Sequence, residues 1–338
     1  MLFPVTSYHA CLYAKPEWTD LLYDKNMKSQ EYDVLCIGTA LIDSIIRGFD
    51  PTPVSTSGFR AVSGSLHVGG EAVNEAVALA KLGVRPAILC SLGQDEAGGM
   101  VRRHLQDAGV GTALIQQSGH PTPVTTMFVR ADGTRQSITN QAHFYNFHPE
   151  QYLDEIPLPK AMILGSLFRA PFDDPEVTAA VLRFADRNGI QVFADTKLPN
   201  SRPCTLEEIR TCLPLVSYIT PNEDEARFYT GKETPAEMAE VFLQYGIRNV
   251  IIKLGAEGCY YCSREAAYAL PACKVDAVDA TGAGDNFLAG FVSELLRGSP
   301  VPDALRFANA CGAICTSAAG ASAGLQSRDQ VLTFLDNL

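Results

Sequence analysis

The run Asp279-Ala280-Thr281-Gly282-Ala283-Gly284-Asp285, with the Asn286-Phe287-Leu288-Ala289-Gly290-Phe291 that follows it, decides how this chain is read. Apolar residues recur at Phe287, Leu288, Phe291, Val292, Leu295 and Leu296 with helical spacing, which predicts a helix beginning close to Gly284. Thr281 or Asp285 is placed to cap it, and the two glycines let the turn approach a ligand closely. Unpaired amides at a helix N-terminus, with the positive end of the helix dipole, form an anion site. A carboxylate there, Asp285, is a poor choice for holding phosphate alone. It becomes sensible if it takes a proton from a hydroxyl while the amides of Gly282, Ala283 and Gly284 hold the charge on a transferring phosphoryl group.

Two other readings of a glycine-rich turn fail on the residues. A dinucleotide fingerprint needs a third glycine where Phe287 stands, and it belongs near a first strand rather than near the C-terminus. A phosphate loop of the GxxxxGK type followed by Ser or Thr occurs nowhere in the chain.

A second constellation lies far upstream: Gly69-Gly70-Glu71-Ala72-Val73-Asn74, then LAKLG at 79–83 and GQDEAG at 93–98. With these motifs in this order, the DATGAGDNFLAGF segment resembles the C-terminal signature of the PfkB/ribokinase family of small-molecule kinases. The resemblance runs from about Asp33 to the end of the chain. It implies a ribokinase-like α/β fold, a central mostly parallel sheet flanked by helices on both faces, with a small β-sheet lid. It also implies ATP-dependent phosphorylation of a sugar hydroxyl with Mg²⁺, and in many members K⁺.

Composition agrees with a compact enzyme. A chain of 338 residues, 46% hydrophobic, can bury a full core. A net charge of −11 argues against nucleic-acid or anionic-membrane partners, and an anionic nucleotide then needs a local positive pocket. No apolar run approaches a membrane span. The ten cysteines are scattered, and the CxxC at Cys259 and Cys262 has no second pair at metal spacing, so reduced thiols in a cytoplasmic protein fit best. Residues 1–32 differ from the rest and lack the pattern of a signal peptide, and the first 26 read as a dispensable extension.

Residues 33–338 read as one kinase domain. Strand and helix patterns alternate at 86–91, 96–108, 161–165, 174–188, 190–194, 205–213, 215–219, 222–230, 235–245 and 248–253, the pattern of a parallel sheet. Irregular and β-rich stretches at about 44–68 and 110–140, the latter with an Asp132-Gly133 turn, are the lid that the resemblance implies.

Candidate site residues follow in chain order. Asp43 lies beyond the first strand, where open α/β sheets bind ligands, and by resemblance it binds sugar hydroxyls; a capping Asp is the plain alternative. Gly69 and Gly70 allow close approach to a polyol, and Asn74 offers both donor and acceptor. By resemblance Gly70 and Asn74 contact the sugar, and Glu71 is either a selectivity residue or a solvated one. Lys197 follows Asp195-Thr196 where relatives carry a basic residue near phosphate. Asn222 and Glu225 match a motif that orients Mg²⁺ waters. Lys253, Gly255, Gly258 and Asn309 stand where relatives cradle the nucleotide. Asp279 and Thr281 are the oxygen donors for K⁺. The carboxylate expected after the 161–165 strand is absent, and Arg169 nearby raises an acidic sugar. A nucleoside kinase, with Phe128, Phe144, Tyr145 or Phe168 stacking a base, stays open, as does a non-catalytic binding regulator. A homodimer through the sheet edge or lid rests on the resemblance.

Overall fold

The computed structural model describes residues 31–48, 61–130, 134–140, 147–200 and 202–338. The expected N-terminal extension apart from its last two residues, the Asp132-Gly133 turn, Phe144 and Tyr145 lie outside the described residues. The first half contains β1 (Val34–Ile37), β2 (Leu41–Arg47), β3 (Ser63–Gly69), α1 (Glu71–Lys81), β4 (Pro86–Leu89), β5 (Ser91–Leu92) and α2 (Glu96–Asp107). Then come β6 (Gln116–Gln117), β7 (Val124–Val129), β8 (Arg135–Thr139), β9 (Ala161–Leu167), α3 (Pro175–Arg187), β10 (Gln191–Thr196) and β11 (Tyr218–Ile219). The last third holds α4 (Glu223–Thr230), α5 (Pro235–Gln244), β12 (Asn249–Lys253), β13 (Cys259–Ser263), β14 (Ala267–Leu270), α6 (Ala283–Leu296), α7 (Val301–Thr316) and α8 (Arg328–Asp336).

Why the strands are apolar throughout follows from what covers them. Val34 and Cys36 enter one core and Leu35 and Ile37 the other, because successive side chains point to opposite faces of a strand. All four are fully buried, so both faces of the sheet are covered. Helices α1, α6 and α7 supply one core, and α3 and α5 the other. The eight strands run in the order β14-β13-β12-β11-β10-β9-β1-β4. Pairing is parallel from β4 through β12, and the β13–β14 hairpin is added antiparallel. The carboxyl ends of β1, β9, β10, β11 and β12 therefore share one edge, the edge at which open α/β sheets bind ligands.

A separate four-stranded sheet has the order β3-β2-β7-β8. It departs from the sequence reading in two ways. Asp43 sits inside β2, opposite His67 of β3 and Thr125 of β7, rather than on a loop after β1. Gln116–Gln117 pairs with Ser91–Leu92 in a two-stranded element of its own and does not join β7 and β8. A third difference concerns 205–213, expected as a helix. It forms turns followed by a short 3-10 helix at Leu213–Leu215, since Pro214 disfavours helical backbone at the residue before it. Among the described residues no helix is long and apolar enough to cross a membrane.

Helix α6 is fixed to the sheet by Phe291. Its fully buried ring meets Phe193 of β10 edge-on at 6.2 Å and Tyr218 of β11 at 5.1 Å. Removing it leaves a cavity that this rigid layer cannot fill. Phe291→Ala should lower the unfolding free energy by about 3–5 kcal/mol in urea titration, and Phe291→Leu by clearly less. A loss under about 1 kcal/mol for the alanine variant would show that the helix is not anchored here.

Candidate active site

The turn ahead of α6 is held by Gly282, the N-cap, in the left-handed region at φ 77°. A Cβ there would lie 2.4 Å from that of Ala321, so only glycine fits both the backbone and the space. Neither Thr281 nor Asp285 caps the helix, contrary to the sequence expectation; no side chain does. Thr281 instead donates its amide and hydroxyl to Asp279 Oδ1, while Gly320 N donates to Asp279 Oδ2. The amide of Ala283 donates to Ala280 O at 3.2 Å, so it is engaged within the turn. The helix supplies no carbonyl for the amides of its first turn, which leaves those of Gly284 and Asp285 without a partner within it.

Asp285 is buried, and Asn74 Nδ2 of α1 donates to its Oδ2 at 2.7 Å. The two residues are 211 apart in sequence, joined because α1 packs on α6. Burial pushes the Asp285 carboxyl above its ordinary value, against the pull of Lys197. Lys253 Nζ stands where it would lie 3.0 Å from a Cβ on Gly284, and it donates to Asp195 Oδ1 at 2.6 Å. Lys197 Nζ lies 3.7 Å from Asp195 Oδ2. Burial works to raise Asp195, but Lys253, Lys197 and the Thr220 hydroxyl outweigh it and hold the carboxyl below its usual value. Burial likewise opposes charge on Lys197, yet Asp195 and Asp285 hold its ammonium above the usual lysine range. Lys197 is thus no surface lysine: its side chain is 24% exposed and that of Lys253 12%.

The remaining candidates have structural partners of their own. Asn222 and Glu225 form a reciprocal capping box on α4, and Glu225 Oε2 also accepts from Thr196 at 2.8 Å. Burial, then the nearby Asp195, raises the Glu225 carboxyl. This anchored hard-oxygen donor fits an outer contact to a Mg²⁺ that keeps its waters, rather than a direct ligand. Asp279 and Thr281 are bonded to one another and to Gly320; as a loop brace they fit a K⁺ cage poorly. At Gly69 a Cβ would lie 2.3 Å from Asp43 Oδ2, so the close neighbour that requires glycine is the protein's own carboxylate. Burial, then Glu71, raises Asp43. Glu71 itself accepts from the Thr39 hydroxyl. Asn309 donates to Pro271 O at 3.1 Å and toward Cys259 Sγ at 3.7 Å, and Gly255 and Gly258 flank the 3-10 turn between β12 and β13. The CxxC thiols are buried and unbonded to each other.

Arg169 is spent on the backbone, its Nε and Nη2 donating to Leu198 O. Phe168 is fully buried and stacks on Tyr229 at 4.1 Å, so it is not available to stack a base. Four site residues escaped the sequence reading, among them Asp195, which pairs with both lysines. His67 faces Asp43 across β2–β3. Thr196 carries the bond to Glu225. Glu75, fully buried, comes within 4.8 Å of Asp195 and Asp285, oxygen to oxygen. Its signal was a charged residue, next to Asn74, in a run from Ala72 to Leu79 that is apolar apart from these two.

Comparison with known proteins gives this geometry its context. The profile of pfkB family carbohydrate kinases matches residues 32–328. Ribokinase of Haemophilus influenzae is 30% identical over 277 residues, covering 80% of this chain and 87% of that one. Fructokinase-1 of Oryza sativa is 28% identical over 320 residues, 90% and 98% of the two chains. The structure of Arabidopsis thaliana ribokinase complexed with ribose and ATP aligns with a TM-score of 0.77 over 90% of this chain and 99% of that one, at 22% identity, and so shares the fold. The sheet order, the glycine turn and the family profile agree: the chain belongs to the pfkB family of carbohydrate kinases, phosphotransferases that act on a hydroxyl group.

Proposed function

We propose that the protein transfers the terminal phosphoryl group of ATP to a hydroxyl of a small sugar, with Asp285 as general base. The observation that carries this is the placement of Asp285: a buried carboxylate at the first turn of α6, aimed by Asn74, beside unpaired amides and Lys253. The sugar hydroxyl gives its proton to Asp285 as its oxygen attacks phosphorus. The amides of Gly284 and Asp285, with Lys253 and Lys197, hold the negative charge of the phosphoryl oxygens. Gly282 shapes the turn. A bound Mg²⁺ would supply charge neutralisation, and Glu225, braced by Asn222, would hold it through its waters. Gly255, Gly258 and Asn309 border the nucleotide side. No step is assigned to K⁺.

The small sheet supports a polyol as acceptor and serves as the lid that excludes water, the competing acceptor. In register, Asp43 shares a row with His67, Thr125 and Thr139, all polar. Phe128 stands on the opposite face, since Thr125 and Phe128 are three residues apart on one strand. Phe168 is buried as well, so of the two candidate stacking rings among the described residues neither is presented to the polar row. Leu66, Ser44, Thr126 and Ile138 form a row on the outer face, where Leu66 and Ile138 are 57% and 69% exposed. Such a row suits pairing with a second copy. Nine described thiols without a disulfide suit a reducing cytoplasm.

Three measurements test this reading. ADP release from Mg-ATP across hexoses, pentoses, sugar acids and nucleosides should give a sugar hit, and Asp285→Asn should bind nucleotide yet lose about 10²–10⁴-fold in turnover. Near-normal turnover in that variant would remove Asp285 from the role of base. Since burial raises the Asp285 pKa and only the ionised form accepts a proton, kcat/KM should fall as pH drops through a value above the ordinary aspartate value of about 3.9. A profile flat down to that value contradicts the assignment. Leu66→Asp with Ile138→Asp should convert a dimer to monomer in light scattering; an unchanged mass would place any dimer contact elsewhere.

A further inference from the structure

Glu75 presents an accounting problem that the mechanism above leaves untouched. Both of its carboxyl oxygens are buried without a hydrogen-bond partner, and so is Asp195 Oδ2. Other buried acids of the site do have donors: Asn74 for Asp285, Lys253 and Thr220 for Asp195, Thr196 and the Asn222 amide for Glu225. A carboxylate buried without a donor is costly, whereas a neutral acid brings its own O–H. A proton on Glu75 would make it neutral and give the cluster one O–H, available to Asp195, since one oxygen of each of Glu75, Asp195 and Asp285 lies within 4.8 Å of the others.

Every element packed against Glu75 points the same way. It faces Asp285 from α6, Asp195 from β10, Glu71 from its own helix and the Cys36 thiol from β1, with Lys197 as the opposing charge. Its Oε2 would lie 3.1 Å from a Cβ on Gly165 of β9. Burial, then Asp285 and Asp195, push its carboxyl well above the ordinary value. Glu75, Asp195 and Asp285 also meet the distance condition for holding a metal ion. Lys253 at 2.6 Å from Asp195, with Lys197 beside it, already occupies that carboxylate with positive charge and disfavours a cation there.

We infer that Glu75 is a neutral carboxylic acid in the working enzyme, a positioning residue that takes up the one proton this cluster must hold and so leaves Asp285 ionised for the substrate hydroxyl. The proton stays on Glu75 through turnover; the hydroxyl proton goes to Asp285. If Glu75 were ionised, its charge would repel that of Asp285 and drive the catalytic carboxyl toward its protonated, inactive form. The inference rests on Asp285 being the base.

The test compares wild type with Glu75→Gln and Glu75→Ala. Glu75→Ala, which removes that O–H and leaves a cavity beside Asp195, should lower kcat by about tenfold or more, and Glu75→Gln, neutral and able to donate, should rescue most of that loss. The acid limb of the kcat/KM profile should keep its position in Glu75→Gln. A limb displaced to lower pH would mean that a charge had been removed, and would overturn the inference. Linkage gives a readout independent of turnover. A carboxyl protonated in the folded chain and ionised in the unfolded one stabilises at low pH, and that stability is lost as pH rises above the unfolded value. From about pH 5 upward, the wild-type unfolding equilibrium constant should therefore gain on that of Glu75→Gln by about tenfold per pH unit until the folded pKa is reached. Parallel curves would overturn the proposal. Glu75→Met supplies the same comparison if the glutamine chain does not fold. Tight Mn²⁺ binding by the nucleotide-free enzyme, seen by electron paramagnetic resonance and abolished in Glu75→Gln, would replace the proton with a metal. Turnover surviving in Asp285→Asn would sink the base assignment instead, whatever Glu75 does.

Discussion

Buried negative charge at the carboxyl edge of a parallel sheet must be balanced within a few ångströms, and much of this molecule is arranged around that requirement. Strands β10 and β12 deliver Asp195 and Lys253 to neighbouring positions, and the chain just beyond β10 returns Lys197 to the same carboxylate. Asp285 arrives from α6 and is aimed by Asn74 from α1. The amide end of α6 adds its own positive potential at the same place. Asp195 and Asp285 are buried, so protein groups rather than bulk solvent supply most of this balance. The lysines therefore belong to the fold as much as to the chemistry: with either one removed, Asp195 would be a charge without sufficient partners.

What the sequence revealed of this arrangement divides along physical lines. The α6 turn was legible because its determinants are local: glycines where the backbone must bend, a carboxylate, then apolar residues at helical spacing. The sheet was legible because strands buried on both faces are apolar throughout, as in Val34 to Ile37. Contacts that close across the fold were not legible. Lys253 and Asp195 are 58 residues apart, and no local rule says that an ammonium leaving one strand will meet a carboxylate leaving another. The capping roles given to Thr281 and Asp285 failed because Asp279, two residues earlier, took Thr281 as its own partner. Asp43 was placed on a loop and lies instead inside a strand of the small sheet, since nothing in Leu41–Arg47 announces which sheet the strand will join.

Alternation in the small sheet carries a different lesson. A strand read for hydrophobicity alone, such as Val124–Val129, is ambiguous, with two threonines among apolar residues. Pairing resolves it. The cross-strand row that contains Asp43 gathers the hydroxyls of Thr125 and Thr139, which bond to each other at 2.9 Å, and the row that contains Ser44 gathers Leu66 and Ile138. One-residue slippage of β2 would exchange the two faces, so register here is chemical selectivity as well as structure.

The same sheet is joined to α1 with almost no slack. Strand β3 ends at Gly69 and α1 begins at Glu71, leaving Gly70 as the whole connection. Asn74 and Glu75 follow within the first turns of that helix, and Asp43 lies against Gly69 itself. Any displacement of β3 would reach α1, whose Asn74 bonds Asp285, through one residue. The polar row of the small sheet and the buried carboxylate of α6 are therefore tied to each other by a single stretch of main chain.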